Sequence, residues 1–433
     1  MALFNFRLNA EEKKIVFLST LGGALEFYDF IVYMYFASVI SQLFFPSGNQ
    51  LTSLIEAFAV FALGYLMRPL GGILFGHFGD KYGRKKTFIA AVLCMAIPTF
   101  LIGLLPTTQM VGITATFLLM ICRIFQGISV GGEIPGSITF ACEHVALNQR
   151  GLACGLIIGG VNSGVLLGSC IGFLINMFLT PEQVLSWGWR IPFIIGGLLG
   201  IASYSLRKKL HETPIFKLEL ERMTHSEIPI VKTFKSYSPA ILKGVAISAM
   251  SAIVVSLLFQ YFPTYLVDIL HYPKNLTNGF NTISILLLSL LVIPSGNLSD
   301  KLGRKKVLAF SAIGFAITAP FLFYLLVYQA STFTLIFVMS LSTLIASGVV
   351  GVFTSTLAEL FPTRIRFTGI AISYNLGFIF GGLTPLIVTT LISVTNNSTA
   401  PAYYLVLASI VCLLGSFTLK DQYQKPLMNE VTE

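Results

Sequence analysis

Long apolar runs alternate with short polar ones along almost all of the 433-residue chain. Each run has about 20 residues or more, the length that an α-helix needs to cross about 30 Å of hydrocarbon. Membrane β-strands would instead give short alternating segments. We count twelve runs, centred near residues 28, 65, 97, 125, 165, 198, 255, 288, 317, 345, 380 and 409. The pattern predicts an all-α integral membrane protein with twelve transmembrane helices and both termini on one side.

The longest polar stretch separates these runs into two groups of six. It reads RKKLHETPIFKLELERMTHSEIPIVKTFKSYS and begins at residue 207. We therefore predict four parts: an N-terminal six-helix bundle over 1–206, a cytoplasmic interdomain loop over 207–239, a C-terminal six-helix bundle over 240–419 and a cytoplasmic tail over 420–433.

Composition and charge agree with a membrane location. The chain is 55% hydrophobic and only 11% charged, whereas soluble domains are about 25% charged. Basic residues fall on the side of the termini in every case except Arg68, Arg123, Arg190 and Lys274. Because cytoplasmic loops carry the excess of Lys and Arg, both termini are predicted to be cytoplasmic, and the net charge of +9 reflects topology rather than nucleic-acid binding.

A charged segment between the second and third runs recurs at the same place in the second half. The two copies read GHFGDKYGRKK at 76–86 and GNLSDKLGRKK at 296–306. A second repeat places Glu143 before Arg150, and Glu359 before Arg366, at equal spacing. Two matched elements in the same order predict a duplicated six-span unit. A simpler interpretation, a positively charged cytoplasmic anchor, would explain the basic residues but not the aspartates and glycines.

Ionisable side chains inside the predicted spans need a partner or a function. Each costs about 2.5–3.5 kcal/mol at the membrane centre, and five qualify: Glu26, Asp29, Arg68, Arg123 and Glu133. Glu26 and Asp29 share one helical face, which Tyr33 continues. Two carboxylates this close disfavour double ionisation, which suits a group that loads and releases a proton. Fixed ion pairs are the alternative for all five.

Polar groups within the spans are candidates for a substrate cavity. The two arginines, with Gln126 beside Arg123, could neutralise the acids or bind an anionic substrate group. Uncharged candidates are Asn162, Gln260, Tyr261, Asn281 and Asn375. Local hydrogen bonding within the helices is the alternative for each. We find no nucleophile–base pair, metal-ligand spacing or phosphate-binding loop, so neither an enzyme nor a cofactor or metal site is predicted.

These motifs resemble the major facilitator superfamily along the whole chain. Its loop signature G-x-x-x-D-(R/K)-x-G-R-(R/K) is matched twice, and its R-x-x-Q-G motif is matched by Arg123, Gln126 and Gly127. A closer likeness is to the metabolite:proton symporters, which include permeases for proline and betaine, α-ketoglutarate, citrate and shikimate. GGALEFYDFIVY at 22–33, RIFQGISVGGEIPG at 123–136 and ELFPTRIRFTG at 359–369 carry this likeness.

The resemblance implies a bundle of two pseudo-symmetric halves in the bacterial inner membrane. We predict a proton-coupled symporter that imports a small organic acid or zwitterion by alternating access and works as a monomer in the lipid bilayer. A proton-driven antiporter of the same fold is the alternative, although the Gly-Pro pair usual in the fifth span of antiporters is missing. A nutrient sensor is a more distant one. Dicarboxylates, citrate-like or siderophore carboxylates, amino acids and betaines all stay open as substrates.

The predicted residues fall into three groups. Proton coupling is assigned to Glu26, Asp29, Arg123 and Glu133. Substrate binding is assigned to Tyr33, Arg68, Gln126, Asn162, Gln260, Tyr261, Asn281 and Asn375. The third group, which the resemblance makes a clamp between the halves in the outward-facing state, is Gly76, Asp80, Gly83, Arg84, Glu143, Arg150, Gly296, Asp300, Gly303, Arg304, Glu359 and Arg366.

Overall fold

The computed structural model describes residues 8–46, 50–208, 229–419, 422–423 and 425–427. These residues contain long helices and no strand. The long helices, numbered α1 to α12, are Ala10–Tyr35, Gln50–Tyr82, Arg84–Leu104, Thr114–His144, Arg150–Phe178, Arg190–Arg207, Ser238–Val255, Lys274–Leu302, Arg304–Tyr328, Thr332–Leu360, Arg366–Thr395 and Ala400–Phe417. Each predicted apolar run has its centre in the corresponding helix; for the seventh run this is the last residue of α7.

Most of these helices can cross a membrane by length and hydropathy alone. Within the described residues ten satisfy both criteria, and an eleventh span forms if α6 is joined to the bent segment Pro181–Gly188 before it. α1 is outside that set, but its 26 residues give it a length of about 39 Å, enough to span the hydrocarbon.

The two halves pack their helices in the same pattern. In the first half α1 lies against α5, α2 against α4, and α3 against α6. The second half repeats this with α7 against α11, α8 against α10, and α9 against α12. The halves meet where α5 packs on α8 and α2 packs on α11, and these two contacts also correspond to each other. The structure therefore has the internal symmetry that the repeated motifs predict.

Glycines bring the backbones of the two halves into direct contact near the ends of these helices. A Cβ atom at Gly151 of α5 would lie 2.2 Å from the carbonyl oxygen of Gly296 in α8, and a Cβ atom at Gly296 would lie 2.1 Å from that of Gly151. A Cβ atom at Gly76 of α2 would lie 2.8 Å from the Cα atom of Thr368 in α11. Close helix packing through small residues thus occurs between the halves.

The connection between the halves is described in part. α6 ends at Arg207 and α7 begins at Ser238, while residues 209–228 of the predicted interdomain loop lie outside the described residues. A short helix, Pro229–Ser236, packs against α2 and α11. Beyond Val255, α7 continues as a π-helical segment, Ser256–Tyr261, which ends two residues before Pro263.

Candidate functional site

A buried polar centre lies inside the N-terminal half, where α1, α3 and α4 meet. The Oδ2 atom of Asp29 is 3.1 Å from a terminal nitrogen of Arg123. Its Oδ1 atom is 3.2 Å from the hydroxyl of Thr99, which in turn accepts a hydrogen bond of 2.8 Å from the Gln126 amide. Three helices each contribute to this centre, and the ion pair offsets part of the cost of burying either charge.

Arg123 keeps hydrogen-bonding capacity beyond this pair. Its guanidinium lies over the Tyr33 ring at 3.7 Å from the centroid. Its Nε atom and second terminal nitrogen have no hydrogen-bond partner among the described residues. Tyr33 donates its own hydroxyl to the carbonyl oxygen of Ala57, so it holds the arginine through its ring face. If Asp29 becomes neutral, Arg123 can therefore bind another anionic group in its place.

The other two acids predicted to couple protons differ from Asp29. Glu26 lies in α1, but its side chain is outside the described residues. Glu133 pairs with Arg207, with 2.6 Å between Oε1 and a terminal nitrogen. The predicted domain boundary placed Arg207 at the start of the cytoplasmic loop, whereas the structure buries it completely as the last residue of α6, over the Phe88 ring at 3.7 Å.

Arg68 of α2 lies at the interface between the halves, among aromatic rings. Its guanidinium carbon is 5.3 Å from the ring centroid of Tyr65, 5.7 Å from that of Tyr374 and 5.5 Å from that of Phe378. Tyr374 and Phe378 belong to α11 in the opposite half. The arginine is buried, and cation–π contact with several rings stabilises a cation there.

The remaining predicted substrate residues divide between the interface and the interior of the halves. Asn375 donates to the carbonyl oxygen of Gly131 at 2.8 Å, and Asn162 donates to the hydroxyl of Ser289 at 2.9 Å, each across the interface. Within the C-terminal half, Tyr261 bonds Thr389, Asn281 bonds the backbone of Phe259, and Gln260 is exposed. Arg68 and Asn375 thus lie where α2 and α4 meet α11, and Asn162 lies where α5 meets α8. Tyr33 and Gln126 belong to the Asp29 centre.

The first charged repeat connects α2 with the start of α11. Asp80 accepts hydrogen bonds from the backbone nitrogens of Phe367 at 3.2 Å and Thr368 at 2.7 Å. Arg84 pairs with Asp80, donates to the carbonyl oxygen of Thr363, and lies 3.4 Å from Glu143. A carboxylate at a helix N-terminus is favoured by the unpaired N–H groups and by the helix dipole. This aspartate therefore joins the two halves.

The second repeat makes the corresponding connection in the opposite direction. Asp300 of α8 accepts from the backbone nitrogens of Gly151 at 2.8 Å and Leu152 at 2.9 Å, at the start of α5. Arg304 pairs with Asp300 at 2.8 Å and with Glu359 at 2.9 Å. In the two predicted Glu–Arg repeats, the glutamate of each half faces the arginine of the other half.

Two ion pairs complete this exchange. Glu143 of α4 binds Arg366 of α11 at 2.7 Å, and Glu359 of α10 lies 3.7 Å from Arg150 of α5. The charged side chains of these pairs are at most 4% exposed. The halves are thus held together at this end of the bundle by four buried carboxylates and their arginines. A simple positive anchor would leave these carboxylates unexplained.

Comparisons with known proteins identify the family. A sequence profile for the Major Facilitator Superfamily matches residues 19–294, and one described as Sugar (and other) transporter matches residues 218–429. The chain belongs to the major facilitator superfamily. It is 33% identical over 427 residues to a glycine betaine/proline/ectoine/pipecolic acid transporter of Dickeya dadantii (strain 3937), covering 96% of this chain and 84% of that one.

Further relatives agree. A proline/betaine transporter of Escherichia coli (strain K12) is 32% identical over 427 residues, covering 96% of this chain and 85% of the relative. Among solved structures, the proton:xylose symporter XylE bound to 6-bromo-6-deoxy-D-glucose superposes with a TM-score of 0.81 at 18% identity, covering 96% and 97% of the two chains. The human organic anion transporter MFSD10 gives 0.67 at 14% identity, covering 95% and 100%. The fold class and the family predicted from the sequence are therefore confirmed.

Membership of the superfamily makes the chain a multi-pass membrane transporter rather than an enzyme. Its fold explains what sequence reasoning missed. The Thr99 hydroxyl contacts Asp29, and Arg207 forms an ion pair with Glu133. Each comes from a helix other than that of its acid, so no local spacing reveals it. A sequence signal existed only for Arg207, because the intramembrane Glu133 required a cation.

The turn between α2 and α3, and its counterpart between α8 and α9, require glycine. Gly83 has φ 113° and Gly303 has φ 95°, values that side chains with a Cβ atom rarely adopt. We expect Gly83→Ala and Gly303→Ala each to cost about 1–3 kcal/mol of stability, measured as a lower Tm in detergent. Gly279→Ala in α8, where a Cβ atom meets nothing within 4 Å, is the matched control and should not lower Tm. Equal Tm values for all three variants would contradict the strain argument.

Proposed function

We propose that this protein is a proton-coupled symporter that imports a small zwitterion of the proline or betaine kind across a bacterial inner membrane, with both termini cytoplasmic. One observation carries the proposal: a buried carboxylate, Asp29, is paired with an arginine that has donors to spare. The names of the relatives support the substrate class. The shared fold of a proton:xylose symporter shows that this architecture can host proton coupling.

The Asp29 centre links proton uptake to substrate binding. When Asp29 takes a proton from outside, it loses the charge that balances Arg123. The buried guanidinium is then left with the Tyr33 ring and needs another anion, because an unpaired buried charge is costly. A substrate carboxylate supplies that anion. Proton and substrate binding therefore favour each other, which is the thermodynamic requirement for symport.

The interface between the halves suits the rest of a zwitterion. Arg68 places a second guanidinium there, between Tyr65 and two rings of the opposite half. A carboxylate can bind a guanidinium, and aromatic faces attract an ammonium or quaternary ammonium group. Asn162 and Asn375, which already bond across the interface, supply polar contacts that change when the halves move. Both halves of this site lie in one chain, so a monomer contains every residue of the proposed site.

The cytoplasmic carboxylates and arginines act as the clamp of an alternating-access cycle. They hold the cytoplasmic ends together while the substrate enters from outside, and they separate when the halves rock. Duplication of the clamp follows from duplication of the bundle. A proton-driven antiporter would use the same parts, so the direction of coupling has to be measured.

The test is proton flux in proteoliposomes that contain an internal pH dye. Proline, glycine betaine, citrate, a dicarboxylate and shikimate are added outside in turn. We expect internal acidification with proline or betaine, together with uptake of the labelled compound, and no response in protein-free liposomes. Acidification with citrate or a dicarboxylate alone would overturn the substrate class. Internal acidification that depends on the exit of a preloaded substrate, under an inward proton gradient, would establish the antiporter.

A further inference from the structure

A second polar position inside the N-terminal half lies below the Asp29 centre, on its cytoplasmic side. Glu133 follows Gln126 by seven residues on α4, about 10 Å along the helix axis. Helical side chains lean towards the N-terminus, so Glu133 reaches back towards Thr99 and the Asp29 centre. Its Oε1 atom binds Arg207, but its Oε2 atom is buried without a hydrogen-bond partner among the described residues. A purely structural pair with a guanidinium favours two parallel hydrogen bonds.

The space between Thr99 and Glu133 is an internal void bounded by α1, α3, α4 and α6. Its lining includes Tyr28, Thr99, Ser129, Glu133, Gly196 and Gly200. The space has about the size that one water molecule occupies, and hydroxyls of Thr99 and Ser129 together with the Glu133 carboxylate provide the polar partners that a buried water needs. The same Thr99 hydroxyl contacts Asp29. Asp29, Thr99, the void and Glu133 thus follow one another inside the N-terminal half.

We propose that Glu133 is a second proton station, which receives the proton of Asp29 through water in this void and releases it to the cytoplasm. This inference rests on the proposed proton coupling at Asp29. The Asp29 carboxyl gives its proton to the water, and the water passes a proton to Oε2 of Glu133. Asp29 regains its charge and its ion pair with Arg123. Glu133 becomes neutral, and its ion pair with Arg207 is lost. Loss of the proton to cytoplasmic water restores the Glu133–Arg207 pair.

The path stays within one half and does not cross the interface. Its helices α1, α3 and α6 are not among those that pack the halves together, and only α4 also contacts α10 and α11 of the opposite half. Arg207 marks its cytoplasmic end, where the guanidinium also bonds the carbonyl oxygen of Leu18 at 3.2 Å. The proton can therefore leave by a route separate from that of the substrate. The glutamate–arginine pair closes that route when the carboxylate is charged.

The decisive experiment compares two transport modes of Glu133→Gln in proteoliposomes. Counterflow exchanges labelled for unlabelled substrate without net proton movement, whereas net uptake needs proton release. We expect counterflow of proline or betaine close to the wild-type rate, and proton-driven uptake and internal acidification slower by about 10²-fold. Thr99→Val, which removes the hydroxyl between the two stations, should show the same separation of modes to a smaller degree. Ser137→Ala, one turn further along α4, is the matched control and should match wild type.

A second variant separates this proposal from a structural ion pair. In Glu133→Gln/Arg207→Gln both charges are gone, so any defect caused by an unpaired buried arginine is relieved. Restored proton-driven uptake in the double variant would overturn the proposal, as would normal coupling in Glu133→Gln. Continued uncoupling with normal counterflow supports it. If wild-type protein itself shows no proton-driven transport, the proposed function fails, a result distinct from normal coupling in the variant alone.

Discussion

Asp29→Asn is expected to slow proton-driven uptake by about 10²-fold or more, while counterflow of the substrate persists. Asparagine keeps the shape of the side chain and its contact with Thr99, but it cannot take up a proton. The net charge of the centre is then fixed, and substrate binding no longer depends on the proton. Uptake of labelled substrate and internal acidification, measured on the same proteoliposomes, check both parts of this expectation.

The buried Arg123 makes controls necessary. Without its carboxylate the arginine is an unpaired buried charge, which can cost about 3–5 kcal/mol in stability, although the Tyr33 ring offsets part of this. Asp29→Asn/Arg123→Gln removes both charges and should restore Tm without restoring proton-driven uptake. Glu182→Gln neutralises an exposed carboxylate outside the centre and should transport normally. Proton-driven uptake at the wild-type rate in Asp29→Asn would remove Asp29 from the mechanism.

The sequence predicts which segments form membrane helices and which charged residues are important. Both predictions depend on the free energy of placing a side chain in the bilayer, which is a property of each segment by itself. An apolar run of this length has few stable environments other than the bilayer, and an intramembrane charge needs a reason to be there. Asp29, Arg123 and Glu133 could be selected on that ground alone. Repetition then identified Asp80 and Asp300 as members of one duplicated loop. The hydrophobic pattern and the energy of burying a charge do not, however, indicate which residue each charge contacts.

The contacts depend on how helices from distant parts of the chain pack. Asp80 binds two backbone N–H groups of α11, which have no signature in the sequence. Arg207 stands beside other basic residues of a polar stretch, so the sequence assigns it to the interdomain loop, whereas packing of α6 buries it against Glu133. The aromatic rings around Arg68 come from two halves. Such pairings are tertiary properties and require the structure.

The clamp gives the second large expected effect. Asp80→Asn/Asp300→Asn should shift the protein towards the state that is open to the cytoplasm. Each aspartate accepts two backbone hydrogen bonds from the opposite half and an arginine from its own. A charged hydrogen bond is worth about 1.5–3 kcal/mol, so losing both charges should change the ratio of states by about tenfold or more. Neither substitution alters the volume of the side chain.

Cys154 offers a native reporter for this shift. It is buried in α5, within a hydrophobic cluster that includes Val292 and Leu357 of the C-terminal half. Separation of the halves should expose its thiol. In protein whose other cysteines are replaced by alanine, and which still transports, labelling of Cys154 by a maleimide in inside-out vesicles should be about tenfold faster or more in the double aspartate variant.

Lys86→Gln distinguishes the clamp from the positively charged anchor. Lys86 belongs to the same charged segment, 76–86, as Asp80 and is exposed, so its loss lowers the positive charge without touching the buried network. If the segment is a clamp, Lys86→Gln should leave the Cys154 labelling rate unchanged. If it is only a positively charged anchor, Lys86→Gln should change that rate more than the aspartate-to-asparagine substitutions do. Because the two aspartates are related by the duplication, each single variant should shift the labelling rate in the same direction. An effect confined to one of them would show that only one half of the clamp holds the cytoplasmic side closed.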